Sequence, residues 1–166
     1  MIRISAGFAA FALLAAGCGQ KADAPAAATS ASTDPAANRG HYKTDIAMKE
    51  LMGHVIDNAA DGIWLAQGWL IDAEGTHELF PTDDDGWRYA TNAGITLAEA
   101  SNLLLLPGRP VDDDPRWVEA THMMYEASME AHEAAEARDK ERFFDAGGKI
   151  YEACTKCHSH YVIGND

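Results

Sequence analysis

The chain is constrained above all by four stretches in which apolar or small residues return every three or four positions, parted by proline, glycine and aspartate. From Thr44 to Ala73 they fall at Ile46, Met48, Met52, Val55, Ile56, Ala59, Ile63, Leu65 and Leu70, the spacing of one long helix with one buried face, stopped by Glu74-Gly75. After a loop with Pro81 and three aspartates, Trp87, Ala90, Gly94, Leu97, Ser101 and Leu104 keep the same step, giving a second helix over about Asp85–Leu106. Pro107-Gly108-Arg109-Pro110 breaks the chain. Asp114-Pro115 then restarts it, aspartate as N-cap and proline in the first turn, with a seam at Trp117, Thr121, Met124, Ser128, Ala131 and Ala135. Asp139 caps a fourth helix whose seam is Phe143, Gly147, Ile150, Cys154, Cys157 and Tyr161. Nothing alternates at period two for long enough to make a strand. The expected class is all-α, an antiparallel four-helix bundle over residues 41–166.

Charge narrows the function. Lys and Arg number 13 against 26 Asp and Glu, a formal net charge of −13. A nucleic-acid binder needs a basic footprint, so no nucleic-acid partner is expected. The aspartate runs at 83–85 and 112–114 read most simply as helix N-termini, and together with the net charge they favour a basic partner.

The front end reads as an address. Arg3 precedes an uncharged run from Ile4 to Ala16, shorter than a membrane span and ending in small residues, the layout of a secretory signal peptide over residues 1–18. Leu14-Ala15-Ala16-Gly17-Cys18 resembles the lipobox of bacterial lipoproteins, with Ala15 where leucine is more usual, which implies lipidation at Cys18. Residues 19–40 are rich in Ala, Ser, Thr, Pro and Asp with no apolar period, a flexible tether. The expectation is an exported, periplasm-facing protein touching the membrane through its N-terminal lipid, with Gly19 after the cysteine leaning towards the outer membrane.

The chemistry-bearing motif ends the fourth helix. Cys154-Thr155-Lys156-Cys157-His158 is the CxxCH attachment pattern of c-type haem. Two thiols three residues apart project from one helical face and can each reach a vinyl group on one porphyrin edge, while His158 points its imidazole at the iron. Three other uses of these residues compete. A redox-active CxxC opens a helix in a βαβ setting, whereas this one closes a helix. Zinc held by Cys154, Cys157, His158 and His160 lacks the usual second ligand pair, and a disulfide within one helical turn is awkward. No acid–base pair or nucleophile constellation argues for an enzyme.

An exported all-helical chain with CxxCH near its C-terminal end resembles the class II cytochromes c, the cytochrome c′ group and its low-spin relatives. The resemblance covers residues 44–161 and rests on the CTKCH motif, Tyr161 three residues past the histidine, and a methionine-bearing first helix. It implies a cytochrome c′-like bundle holding one covalent haem c, and a carrier of single electrons. Arg or Lys commonly follows the aromatic residue in that family; here it is Val162.

The family's six-coordinate members take a distal methionine from the first helix. His158 lies about 5 Å from its helix end, while Met48 and Met52 lie roughly 6 and 12 Å into theirs, four residues apart on one face. Met52 is the expected distal ligand and Met48 the second choice, with Met124 a further contender and His122 an alternative. Tyr161 and Trp64 are expected to pack on the haem, and Trp117 to pack rather than relay electrons. His54, His132 and His160 read as surface or rim residues, and Gly147-Gly148 as a close approach by backbone or porphyrin. If no residue fills the sixth position, a five-coordinate haem protein binding NO or CO follows. A haem-free helical lipoprotein is the third reading. Homodimers are common in the resembled family.

Overall fold

The structure, a computed structural model, describes residues 42–111 and 114–162. The expected leader, Cys18, the tether, and Asp112 and Asp113 lie outside the described residues. What is described is mostly helical, with four helices and one two-stranded hairpin. No described helix is long and apolar enough to cross a membrane.

Helix α1 consists of three abutting segments, Met48–Leu51, a π-helical segment Met52–Ile56, and Asp57–Trp64. It begins four residues later than the apolar period predicts, after Ala47, which provides no side-chain cap, and Ile46 is left exposed. The end is also earlier than expected. Leu65 is the C-cap, Gly68 adopts a left-handed φ of 90°, and Trp69–Asp72 (β1) pairs antiparallel with Gly75–Glu78 (β2). The expectation that the chain holds no strand is thus corrected. Trp69, Leu70 and Ile71 favour a pleated backbone, and Asp72 makes the reversal by accepting from the backbone N–H of Glu74 (3.0 Å) and Gly75 (3.1 Å). Gly75, expected to stop a helix, instead supplies the φ of 133° this turn needs.

The other three helices start where their caps predict. Helix α2 (Asp84–Asn102, then a 3-10 turn Leu103–Leu105) is capped by Asp83, which accepts from Gly86 N–H at 2.8 Å. Helix α3 (Pro115–Ala137) is capped by Asp114 and α4 (Lys140–Tyr161) by Asp139, the two joined through Arg138 at a left-handed φ of 54°. The predicted seam residues of α2 and α3 are all buried. Their hydroxyls are satisfied within the helix: Ser101, Thr121 and Ser128 each donate to the carbonyl four residues back.

Packing is most extensive between α2 and α3 and between α3 and α4, less so between α1 and α2, and sparse between α1 and α4. Small residues set the tight crossings. A Cβ on Gly94 would sit 2.7 Å from the backbone nitrogen of His132, and one on Gly62 2.7 Å from the Ala93 methyl. His132 is accordingly half-buried rather than a rim residue, its Nδ1 3.0 Å from the Thr91 carbonyl. Gly147 does mark a close approach, but by a side chain: the Gln67 amide lies against it, its Cδ 2.7 Å from where a Cβ would stand. Gly148 meets nothing within 4 Å.

Candidate functional site

A cavity of about 520 Å3 opens among α1, α3 and the C-terminal half of α4. That is within the 300–1,000 Å3 typical of small-molecule and cofactor sites. Five of the residues singled out from the sequence line it together: Met52, Trp64, Cys154, Cys157 and His158. Met124 lines it too, from α3. Met48 does not; it is half-buried against the core. Tyr161 lies outside the lining, its ring edge-to-face with Trp117 at 5.2 Å. His122 is exposed and off the cavity. His54 is solvated, 3.1 Å from Glu50.

The lining is apolar because of what all four helices turn towards it. Ile56, Ala60, Leu104, Ala120 and Ala153 are side chains with no polar atom, and Thr121 spends its hydroxyl on the Trp117 carbonyl at 2.8 Å. Trp64 is held across the gap by donating from Nε1 to the Gly147 carbonyl at 3.0 Å. Cys154 and Cys157 are free thiols, half-buried. Burial pushes both thiols above their ordinary value, and for Cys154 the neighbouring Cys157 and Asp57 add to it. Both are therefore protonated near neutrality.

Asp57 is a lining residue that the helical period did not flag. In an α-helix residues five apart stand about 140° apart around the axis. The π-helical segment brings them into line, and the Asp57 N–H bonds the Met52 carbonyl directly. Gly53, a poor helix former within this segment, is the one sequence sign of it.

Behind the cavity the last turn of α4 is pinned to the start of α3. Asp114 caps α3 and takes the Arg116 guanidinium at 2.6 Å, and His160 stands between them, 3.3 Å from Arg116 and 3.6 Å from the Asp114 carboxylate. The Arg116 hydrogen bonds hold the Asp114 carboxyl well below the usual carboxylate range. Tyr161 closes this cluster. Its hydroxyl is enclosed without a partner in hydrogen-bonding geometry, and burial first, then Asp114, raises its pKa.

The donor set fits a c-type haem. Two thiols, one imidazole and two thioethers surround one apolar space, which suits anchoring and axial ligation of a porphyrin. It does not fit zinc: His160 is engaged by Arg116 and Asp114, and no three His, Cys, Asp or Glu side chains among the described residues are placed to hold a metal ion. Comparison with family models, with curated proteins and with solved structures gives no match to this chain.

Proposed function

We propose that this protein is an exported monohaem c-type cytochrome that carries single electrons, a likeness of the class II cytochromes c built as an antiparallel four-helix bundle. One observation carries the reading: the CxxCH residues, a methionine from the first helix and Trp64 converge on a single apolar cavity. The two-residue α3–α4 connection and the packing of α2 on α3 and α3 on α4 support the bundle.

In this reading Cys154 and Cys157 would hold the haem through thioether bonds, and His158 (proximal) and Met52 (distal) would ligate its iron. Met124 replaces Met48 as the second candidate, because it shares the cavity. Haem supplies a one-electron ferric–ferrous couple. The chain's own residues do the rest. Ile56, Ala60 and Leu104 exclude water, Trp64 packs on the ring, and the Asp114–Arg116–Tyr161 cluster fixes the turn that presents His158. The signal-like leader and Cys18 support a lipid-anchored, periplasm-facing location.

Optical spectra of the purified exported protein test the proposal. A c-type α band in the ferrous state and haem-shifted mass on the peptide holding Cys154 and Cys157 are expected. Two freely alkylated thiols overturn it. Carbon monoxide separates the ligation states: slow, weak binding goes with Met52 on the iron, whereas fast, tight binding to a high-spin protein favours the five-coordinate gas binder.

A further inference from the structure

Resting on the haem reading, we infer that the face between α1 and α4 is the docking surface for an electron-exchange partner that presents lysine or arginine around an apolar contact. The cavity reaches the surface here. Trp64 and Tyr151 both line it and meet edge-to-face, centroids 6.4 Å apart, and Tyr151 is 65% exposed. Exposed apolar surface continues along the face through Leu65 and through the Trp69 and Phe144 rings, 5.5 Å apart.

Charge decides what covers it. Asp57 stands at the cavity wall and Asp61 one turn further, both exposed, with like charges that repel at this spacing. Neither has an ion-pair partner among the described residues. The lysines and arginines in ion pairs serve acids of the hairpin, α2 and α3, including Asp114 at the α3 cap. On α4, Lys149 and Lys156 turn away, to Glu130 and Glu119 of α3. The α4 stripe of Phe144, Gly148, Tyr151 and Thr155 carries no cation, and neither does α1 from Asp57 to Trp64. The described cations in ion pairs are thus committed to acids of other elements, and the two aspartates beside the exposed rings stand without one. Interfaces that exchange partners combine an apolar centre with a charged, complementary rim. A second copy of this chain, or an anionic lipid surface, would set acid against acid.

The test compares D57N/D61N with E136Q/E141Q, which removes the same charge from exposed positions off the cavity. The reduced holoprotein is mixed with tris(phenanthroline)cobalt(III). One electron passes from the ferrous protein to cobalt(III), giving ferric protein and cobalt(II), with no bond made or broken. D57N/D61N is expected to slow this at least about threefold at low ionic strength, the difference fading near about 0.5 M salt, and E136Q/E141Q to change it by less than about twofold. Anionic ferricyanide is not slowed by D57N/D61N. Independently of redox chemistry, the inert cation tris(ethylenediamine)chromium(III) should broaden amide signals of Asp57–Trp64 and Tyr151–Thr155 first, an effect lost in D57N/D61N. Equal slowing by the two double variants, or broadening centred elsewhere, overturns the inference. A protein lacking haem defeats the cytochrome reading instead, and the broadening map still tests the charged face.

Discussion

The two ends of α4 follow the same three-and-four spacing and do opposite things. Near its start, Phe143 is fully buried and meets Trp87 edge-to-face at 6.0 Å, while Phe144, Trp69 and Phe80 form a chain of rings that Lys140 covers from above. Near its end, Cys154, Cys157 and His158 face Gly53, Ala60, Ala120 and Thr121, and the space between stays open. Periodicity decides which residues point inward, and side-chain volume decides whether they touch. A cavity is therefore written in residue size, without any break in the helical pattern.

The largest expected effect removes the two thiols that the proposed function gives to the haem. C154A/C157A should yield protein without covalent haem, with a broad, low-temperature thermal transition by circular dichroism in place of the cooperative one of the holoprotein. A variant that melts as sharply and as high as the holoprotein would show that the open end needs no occupant, and the contrast between the ends would lose its meaning. At the closed end no ligand stands in for a missing ring. F143A should cost about 3–5 kcal/mol in denaturant unfolding of the holoprotein, with the haem spectrum retained.

A truncation at the open end reverses the pattern, small in stability and large in spectrum. Met52 is half-buried where Phe143 is fully buried, so M52A should cost less in stability than F143A. It should also convert a low-spin ferric spectrum to high-spin and speed carbon monoxide binding. An unchanged spectrum would move the distal ligand to Met124, whose truncation is the matching experiment.

Much of this contrast was legible beforehand. The aspartate run at 83–85, Asp114 and Asp139 announced three helix starts because a cap is a local hydrogen bond, and the seams of α2 and α3 followed from a regular 3.6-residue period. The largest departures from the expected helices lie in α1 and just after it, where the local rule changes. Ile63, Leu65 and Leu70 fit a helical face on paper, but Gly68 and the Asp72 turn favour a hairpin, leaving Leu65 and Leu70 exposed. The π-helical segment shifts Asp57 into line with Met52, and although Asp57 also shares a helical face with Ala60 and Trp64, a search for apolar residues passes over a carboxylate. The CxxCH motif was readable because its three residues are close in sequence. Met52 on α1 and Met124 on α3 both lie far from the motif in sequence, so seam position alone could not rank the methionines.

The finest test of the comparison uses acid, because each end has a carboxylate held below its ordinary range. At the open end the Arg116 hydrogen bonds hold the Asp114 carboxyl well below its ordinary range, and at the hairpin end the Lys140 hydrogen bond and charge lower Glu78 from 4.5. A carboxylate with a depressed folded pKa contributes fully above its unfolded value and loses that contribution as pH falls towards the folded one. Glu78 should therefore begin to weaken the hairpin end below about pH 4.5 and Asp114 the last turn of α4 below about pH 4. Amide exchange resolves the two regions separately. Between pH 5 and pH 3.5, protection at residues 158–161 should fall in the natural sequence and stay level in D114N, which retains a capping side chain without the titrating group. E78Q should level the hairpin and leave the α4 end as acid-sensitive as before. If either variant flattened both regions, the ends would be one cooperative unit, and the division between a packed end and a ligand-held end would fail on its smallest scale.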